Sequence, residues 1–574
     1  MLANKTKPLN KKNMKINNNL KEIVIKNINM NYPSKIFKKI KSRKSNIPYQ
    51  IKKSKSQKKI SISKTETKEK KENKNLNFRN NSEKCIKRTN SCLYNIFSHF
   101  LYIELLQKLS YKLNAPSGVI ISFGNNSHNE TALDKTDKIT TPHIVYKLKN
   151  EIINYIYAGW QHNIVITNNG EIFSFGHNQF CQCGLPNPNK MQENIKDPIN
   201  LSIINNDIRA ISASCGNEHT LILSKDHTVY SFGNNEEGVL GIEIKDNNNK
   251  NDLKEYKFNK INFGEYTNKI IEISSGTVHN LALTYDGKIF SWGSSQGGQL
   301  GLTFQTLETL PGFKNNYYIS TPIHIPINKK EINTNNENNE INIIKISCGE
   351  AHSLALSSEG KVYSWGFGSN GQLGLGFCED SFEPGEGLKN SMRYNPEKIE
   401  EINDENICDI KCGKTFSMFI NNKGELFACG VNDLNQLGIQ EMPPKHHLYN
   451  KNEEMCYDFV VPTKVDYFLN MKVENISCGE GHCLAIIKDI LSNTQTIWSW
   501  GNNKFGQLGQ GTIIKKCLPR PINCLFEYNS YKFDKVACGG FHSLCLIKHN
   551  ENLNWIEDDY KKIICIIIDD IGII

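Results

Sequence analysis

Six histidines recur in one setting. His162, His219, His279, His352, His482 and His542 each stand three residues after a glycine and open an apolar run. The glycines are Gly159, Gly216, Gly276, Gly349, Gly479 and Gly539, and Gly413 is a seventh, with Phe416 where the histidine falls elsewhere. A set of imidazoles invites a metal centre, since zinc holds histidine nitrogens at about 2 Å. Equivalent residues of separate units cannot converge that closely unless they face a common axis at one level. Phe416 points the same way, because a phenyl ring replaces an imidazole in packing but not as a ligand. The histidines therefore read as buried rings that hydrogen-bond backbone and tie neighbouring strands.

Other chemistry fares no better. Cys181-x-Cys183 lacks a second cysteine pair or a suitably spaced histidine. Cys215, Cys348, Cys412, Cys478 and Cys538 share one repeat position; on different units they are expected to lie far apart, as small buried residues in a reducing compartment. The Gly-x-x-x-x-Gly-Gln-Leu-Gly turns at 293–301, 366–374 and 501–509 lack the Lys and Ser/Thr of a phosphate loop. Glu379-Asp380-Ser381-Phe382-Glu383 reads as a solvated loop. No catalytic residue, metal or cofactor is expected. A light-sensing role would need a tryptophan cluster around Trp160, yet three of the six tryptophans (Trp292, Trp365, Trp500) are repeat-core aromatics.

The elements that carry these residues repeat. From Gly159 to Gly539 there are six intervals, a period of about 63 residues. A second half-phrase, serine-aromatic-glycine or a variant, falls at Phe123, Phe175, Phe232, Trp292, Trp365, Cys429 and Trp500. The two halves are out of phase, so the chain shows an orphan back half at 118–124 and an orphan front half at 536–547. Short apolar runs such as Ser353-Leu354-Ala355-Leu356 and Val362-Tyr363-Ser364-Trp365, joined by Gly-containing turns, are strand pairs. Asn169-Gly170 and Asp286-Gly287 suit tight hairpins. Small repeated sheets hide their faces by stacking around an axis. The expectation is all-β: a seven-bladed β-propeller over 113–550, closed by N-terminal strands near 118–124 that complete the last blade. The polar stretches 242–262, 305–340, 378–404 and 441–465 read as inserts.

The phrase closely resembles the regulator of chromosome condensation repeat family across roughly 116–550. Units around Gly276, Gly349 and Gly479 fit best; Phe416, Cys429 and the Asp226-His227 turn depart from the pattern, and the sixth unit has a longer hairpin at 488–496. The resemblance implies a propeller closed in the manner described and, as the family's best-defined activity, guanine-nucleotide exchange on the small GTPase Ran at chromatin. That activity needs no nucleophile, only preference for the nucleotide-free GTPase. The exchange factor offers acidic side chains from its Gly-x-x-His turns and a wedge from its third blade. Here Glu236 and Glu237 follow Phe232, but Asn217 and Val278 stand where acids are sought, and 242–262 shows no apolar wedge. The resemblance thus implies first a protein-interaction platform, and as the alternative an exchange factor for a Ran-like GTPase facing Glu236, Glu237, Asn217 and Val278.

Charge is uneven. Residues 1–90 hold 27 of the 69 Lys and Arg but 5 of the 59 Asp and Glu, leaving 42 basic and 54 acidic residues for the rest. The 1–90 arm reads as disordered and basic, suited to nuclear import or to nucleosome and nucleic-acid contact, although Asn/Lys bias also fills the inserts. Residues 91–112 suggest an amphipathic helix, interrupted by His99, Glu104 and Lys108 and too short to span a membrane. Residues 551–574 read as a tail. With no secretory signal at the N-terminus, the chain is expected in the nucleus or cytoplasm as a monomer.

Overall fold

The computed structural model describes residues 118–549, apart from 135–137, 187–192, 204–207, 244–253, 311–312, 314–316, 329–339, 377–390, 440–457, 469 and 523–530. The readings for 1–90, 91–112, 379–383 and 551–574 lie outside the described residues.

Each repeat forms one antiparallel sheet of four strands, and there are seven such sheets among the described residues. Blades 1 to 6 occupy 153–200, 210–260, 270–325, 343–398, 407–464 and 471–521. Blade 7 takes two strands from each end of the chain. Tyr531–Cys538 and His542–His549 come from the C-terminal side, Val119–Gly124 and Ile139–Ile144 from the N-terminal side. The closing pair runs from Val119 against Ile547 to Gly124 against His542 without a shift of register. The out-of-phase half-phrases are therefore one blade cut in two, and the fold is a seven-bladed propeller closed by its N-terminal strands.

Within a blade the first strand is innermost, because the ends of six first strands and the turn after the seventh, Gly539 and Gly540, border one cavity. The second strand, such as His352–Ser357 or His279–Thr284, is buried along its whole length. Both of its faces meet neighbouring blades, so it reads as a continuous apolar run, not as an alternating one. The core is accordingly divided into layers between blades. One layer sets Leu281, Leu283 and Ile289 of blade 3 against Ile346, Ala355 and Trp365 of blade 4.

The stretches taken as inserts need correction. Each contains the blade's fourth strand: Lys254–Lys260, Tyr318–Ile325, Met392–Lys398 and Phe459–Lys464. These strands lie at the outer edge of their sheets, and Met392–Lys398 has no fully buried residue. A strand with one bonded neighbour and a wet face carries a weak apolar signal.

Candidate functional site

The Gly-x-x-His turn follows from close packing. The histidine ring folds back onto its own glycine: a Cβ built on Gly159 would fall 2.5 Å from His162 Cε1 and 2.8 Å from the Gly216 carbonyl oxygen. A Cβ on Gly539 would fall 2.6 Å from the Gly159 oxygen. Only glycine lets the imidazole and the next blade's backbone approach so closely.

Each imidazole then reaches into the following blade. His162 Nε2 lies 2.8 Å from Thr220 Oγ1, His219 Nε2 2.8 Å from Asn280 Oδ1, and His279 Nε2 2.9 Å from Ser353 Oγ. His352 meets Ser417 Oγ at 3.1 Å, His482 meets Ser543 Oγ at 3.0 Å, and His542 meets Asn163 Oδ1 at 2.7 Å across the closure. The partners spend their own protons on a loop carbonyl: Ser353 donates to Gln299 O at 3.0 Å, Ser417 to Gln372 O at 2.7 Å, Ser543 to Gln507 O at 2.8 Å. Their oxygens must therefore accept, which places the histidine proton on Nε2. Trp365 Nε1 and Trp500 Nε1 donate to the Gln299 and Gln436 carbonyls, each at 2.9 Å. The glutamine of the Gly-Gln-Leu-Gly turn thus latches one blade to the next through its backbone. The histidines bond side chains of the next blade, where backbone partners were expected.

Burial holds these imidazoles neutral. His162, His279, His352 and His482 are pushed down to about 3, and His219 and His542 to about 4. Among the described residues no group of His, Cys, Asp and Glu is arranged to hold a metal ion. At the seam between blades 5 and 6, Phe416 takes the histidine place and shares one core cluster with Cys483, whose Sγ lies 3.5 Å from the Gln436 carbonyl.

Around the glycines, the first intervening residue of each turn (Trp160, Asn217, Thr277, Glu350, Lys414, Glu480 and Gly540) forms the rim of the central channel. Lys414 Nζ lies 3.1 Å from Glu480 Oε1, 3.8 Å from Glu350 Oε1 and 5.1 Å from the centre of the Trp160 ring. Trp160 packs edge-on to Phe541 at 5.6 Å, and Phe541 meets Phe505 at 5.0 Å. Lys138 and Lys504 lie over Phe505. A cavity of about 260 Å³ is lined by Trp160, His177, Glu218, Glu350 and Lys414, among others. A second, of about 110 Å³, is lined by the glycine turns with Cys215, Cys348, Cys412 and Cys478. Four of the five equivalent cysteines therefore border one cavity, and Cys538 is not among them. Burial raises the Glu480 carboxyl, offset by its hydrogen bond to Lys414.

Further along the inner strands, Lys345 pairs with Asp409 at 2.8 Å, and Lys411 lies 3.7 Å from the same oxygen. Burial pushes nearby Glu272 up to about 7, against the pull of Lys411 and Lys345.

Asn217 lies on the rim. Asn234 joins its turn to the Glu236 loop: Asn234 Nδ2 donates to Glu218 Oε2 at 2.8 Å, and its Oδ1 accepts from the Glu236 N–H at 3.1 Å. Glu236 is exposed and Glu237 half-buried. Val278 is half-buried and its carbonyl accepts from the Ser294 N–H at 2.8 Å. Sequence reading missed Glu218, Glu350 and Glu480, which put acids on three turns, and Lys414, which puts a base on a fourth. The signal was available at the two variable positions of each turn, where Asn217 and Val278 alone were weighed as GTPase-facing.

Comparison with known proteins fits this geometry. The family profile described as RCC1-like domain matches residues 250–563, more than half of the chain, and profiles of the regulator of chromosome condensation (RCC1) repeat match 169–223, 153–182 and 210–239. The chain is 27% identical over 401 residues to the ultraviolet-B receptor UVR8 of Arabidopsis thaliana, covering 70% of this chain and 76% of the receptor. It is 25% identical over 428 residues to the E3 ubiquitin-protein ligase HERC2 of Mus musculus, covering 74% of this chain but 8% of the ligase. Among solved structures, Prp20p from Saccharomyces cerevisiae superposes with a TM-score of 0.62 at 20% identity, covering 80% of this chain and 96% of Prp20p. Human WBSCR16 superposes with a TM-score of 0.57 at 18% identity, covering 75% of this chain and 99% of that one.

Proposed function

This chain belongs to the regulator of chromosome condensation repeat family, and we propose that its ring is a protein-interaction platform that docks a partner on the Gly-x-x-His face. One observation carries the reading: half-buried Trp160, Phe541 and Phe505 form a connected aromatic crest on that face, with Lys138, Lys414 and Lys504 over the rings and Glu218, Glu350 and Glu480 on neighbouring turns. Aromatic anchors rimmed by charge are the composition of binding hot spots. The test is capture from nuclear and cytoplasmic extracts, the compartments we assign to the chain, by full-length protein and by a Trp160→Ala/Phe541→Ala pair. Partners that disappear with the pair and survive an Arg520→Ala change on an outer strand support the reading. Partners indifferent to the pair refute it.

A second reading, exchange on a Ran-type GTPase, is favoured by Glu218, which stands next to Asn217, and by the acids Glu350 and Glu480 on two further turns. Prp20p has been studied for its binding to Gsp1p and histones, and these set the purified candidates. Release of mant-GDP from Ran, followed with and without the full chain, decides: no acceleration at micromolar protein ends the exchange reading. If the 1–90 arm contacts nucleosomes, deleting it abolishes their low-salt gel shift, and retained, salt-insensitive binding refutes the charged-arm account.

A further inference from the structure

The residue before each Gly-x-x-His glycine faces, across the first and second strands of its blade, the residue after the histidine. In six blades these pairs are Ala158/Asn163, Cys215/Thr220, Ser275/Asn280, Cys348/Ser353, Cys412/Ser417 and Cys538/Ser543. Only blade 6 has cysteine on both sides, Cys478 opposite Cys483, with the two sulfurs 3.9 Å apart. We propose that Cys478 and Cys483 form an oxidisable dithiol at the channel mouth, a modification site for hydrogen peroxide that closes a cross-strand disulfide.

Geometry permits the bond. The neighbouring pair exchanges a narrow hydrogen bond, Gly479 N–H to His482 O at 2.8 Å, so 478 and 483 fall at the next, non-hydrogen-bonded position of the ladder. Such pairs have Cα atoms about 4.5 Å apart, inside the disulfide range of about 4.4–6.8 Å. The sulfurs need to approach by roughly 2 Å to reach bonding distance. The neighbourhood also explains why this blade is free to carry the pair. In other blades the second position must accept the preceding histidine, but the preceding ring here is Phe416, which offers no proton.

The two thiols have different surroundings. Cys478 borders the channel-mouth cavity beside Gly479 and Glu480, whereas Cys483 is buried. Burial pushes the Cys483 thiol well above its ordinary value, so it stays protonated until a partner is presented. Cys478 sulfur attacks the peroxide O–O bond, giving Cys478–SOH and one water. Cys483 sulfur then attacks the sulfenic sulfur; the S–O bond breaks, the Cys483 proton leaves with the hydroxyl as a second water, and the disulfide forms. The dithiol loses two electrons, and peroxide gains them.

The experiment uses the full reduced chain, treated with hydrogen peroxide, denatured in N-ethylmaleimide and digested with trypsin. Both cysteines fall in one tryptic peptide, 473–488. The expected product is that peptide two hydrogens lighter and without maleimide, reverting with dithiothreitol. In Cys483→Ser, which installs the residue type found at 353, 417 and 543, oxidation stops at a dimedone-reactive Cys478. In Cys478→Ser, Cys483 is recovered as the maleimide adduct. Tryptophan fluorescence of both variants checks that the ring is folded. Recovery of the wild-type peptide with two maleimides after peroxide, or with Cys478 joined to Cys412 or Cys538, overturns the proposal.

Discussion

Between most blades an imidazole of one bonds a hydroxyl or amide of the next, while between blades 5 and 6 neither group is present. At the six regular seams the histidine proton and the Ser, Thr or Asn oxygen are both buried and both satisfied. At the exceptional seam Phe416 is fully buried and shares one core cluster with Cys483, also buried. The two departures belong together. A buried hydroxyl that loses its donor costs about 1–3 kcal/mol, whereas replacing both partners by apolar groups can be nearly neutral. A ring built of like seams thus tolerates the loss of a fastener when donor and acceptor go at once.

The largest expected effect separates the seams by acid. Each folded imidazole sits near 3 or 4 against an unfolded value of about 6.5, so below pH 6.5 the unfolded chain binds protons that the folded ring refuses. Stability from this source is complete above pH 6.5 and falls as pH drops towards 4. Each histidine costs about 1.4 kcal/mol per pH unit, and six cost on the order of 8, comparable to the whole stability of a domain. Urea melts at stepped pH, read by tryptophan fluorescence, are expected to show collapse between pH 6 and 5. A flat profile from pH 7 to 5 would mean the histidines are not held neutral.

Next in size is a transplant of the exceptional seam. His352→Phe leaves Ser417 Oγ without its donor and is expected to lower stability by about 1–3 kcal/mol. Adding Ser417→Cys reproduces the Phe416/Cys483 pair and is expected to recover most of that loss. The acid profile of either variant should also be shallower by one proton. Equal stability of single and double variants would show that 416 and 483 vary independently.

How far these seams were legible in the sequence depends on which strand a residue occupies. The second and third strands are buried on both faces, so their runs are apolar and punctuated by turn glycines, and blade number and closure follow from them. The fourth strands hid inside polar segments, because an outer edge such as Met392–Lys398 has water on one side and no buried residue to mark it. The histidines were seen as packing residues, but their partners were not, since a bond from His352 to Ser417 spans 65 residues that periodicity only implies. Aligning the repeats by the residue after each histidine (Asn163, Thr220, Asn280, Ser353, Ser417, Cys483, Ser543) exposes the odd member, one unit downstream of Phe416. The rim was the least legible part. Its residues are the variable positions of the turns, and only the closed ring brings Lys414 of blade 5 to Trp160 of blade 1.

Repairing the exceptional seam is expected to change stability by less. Phe416→His with Cys483→Ser restores a donor and an acceptor, and a net hydrogen bond contributes about 1 kcal/mol. Phe416→His alone buries an N–H against a thiol and is expected to destabilise by about 1–3 kcal/mol. Chemical denaturation of the two variants orders them. A stabilising single variant would show that the seam holds an acceptor other than residue 483.

The smallest effect concerns a second fastener across the same seam. Lys414 stands two residues before Phe416 and pairs with Glu480 of blade 6 at 3.1 Å, so the seam that lacks the histidine bond has an ion pair at its rim. Water and salt reach that pair, since Lys414 and Glu480 are both partly exposed. Exposed pairs contribute about 0.2–1 kcal/mol and are screened, with a Debye length near 3 Å at 1 M salt. Lys414→Ala is therefore expected to cost no more than about 1 kcal/mol at low salt, and the loss should fade at 1 M sodium chloride. The loss from His352→Phe should not fade, because that bond is closed to ions. A Lys414→Ala penalty that persists in high salt would place the effect in packing of the lysine stem on Trp160, and the rim pair would no longer count as the seam's substitute for its missing histidine.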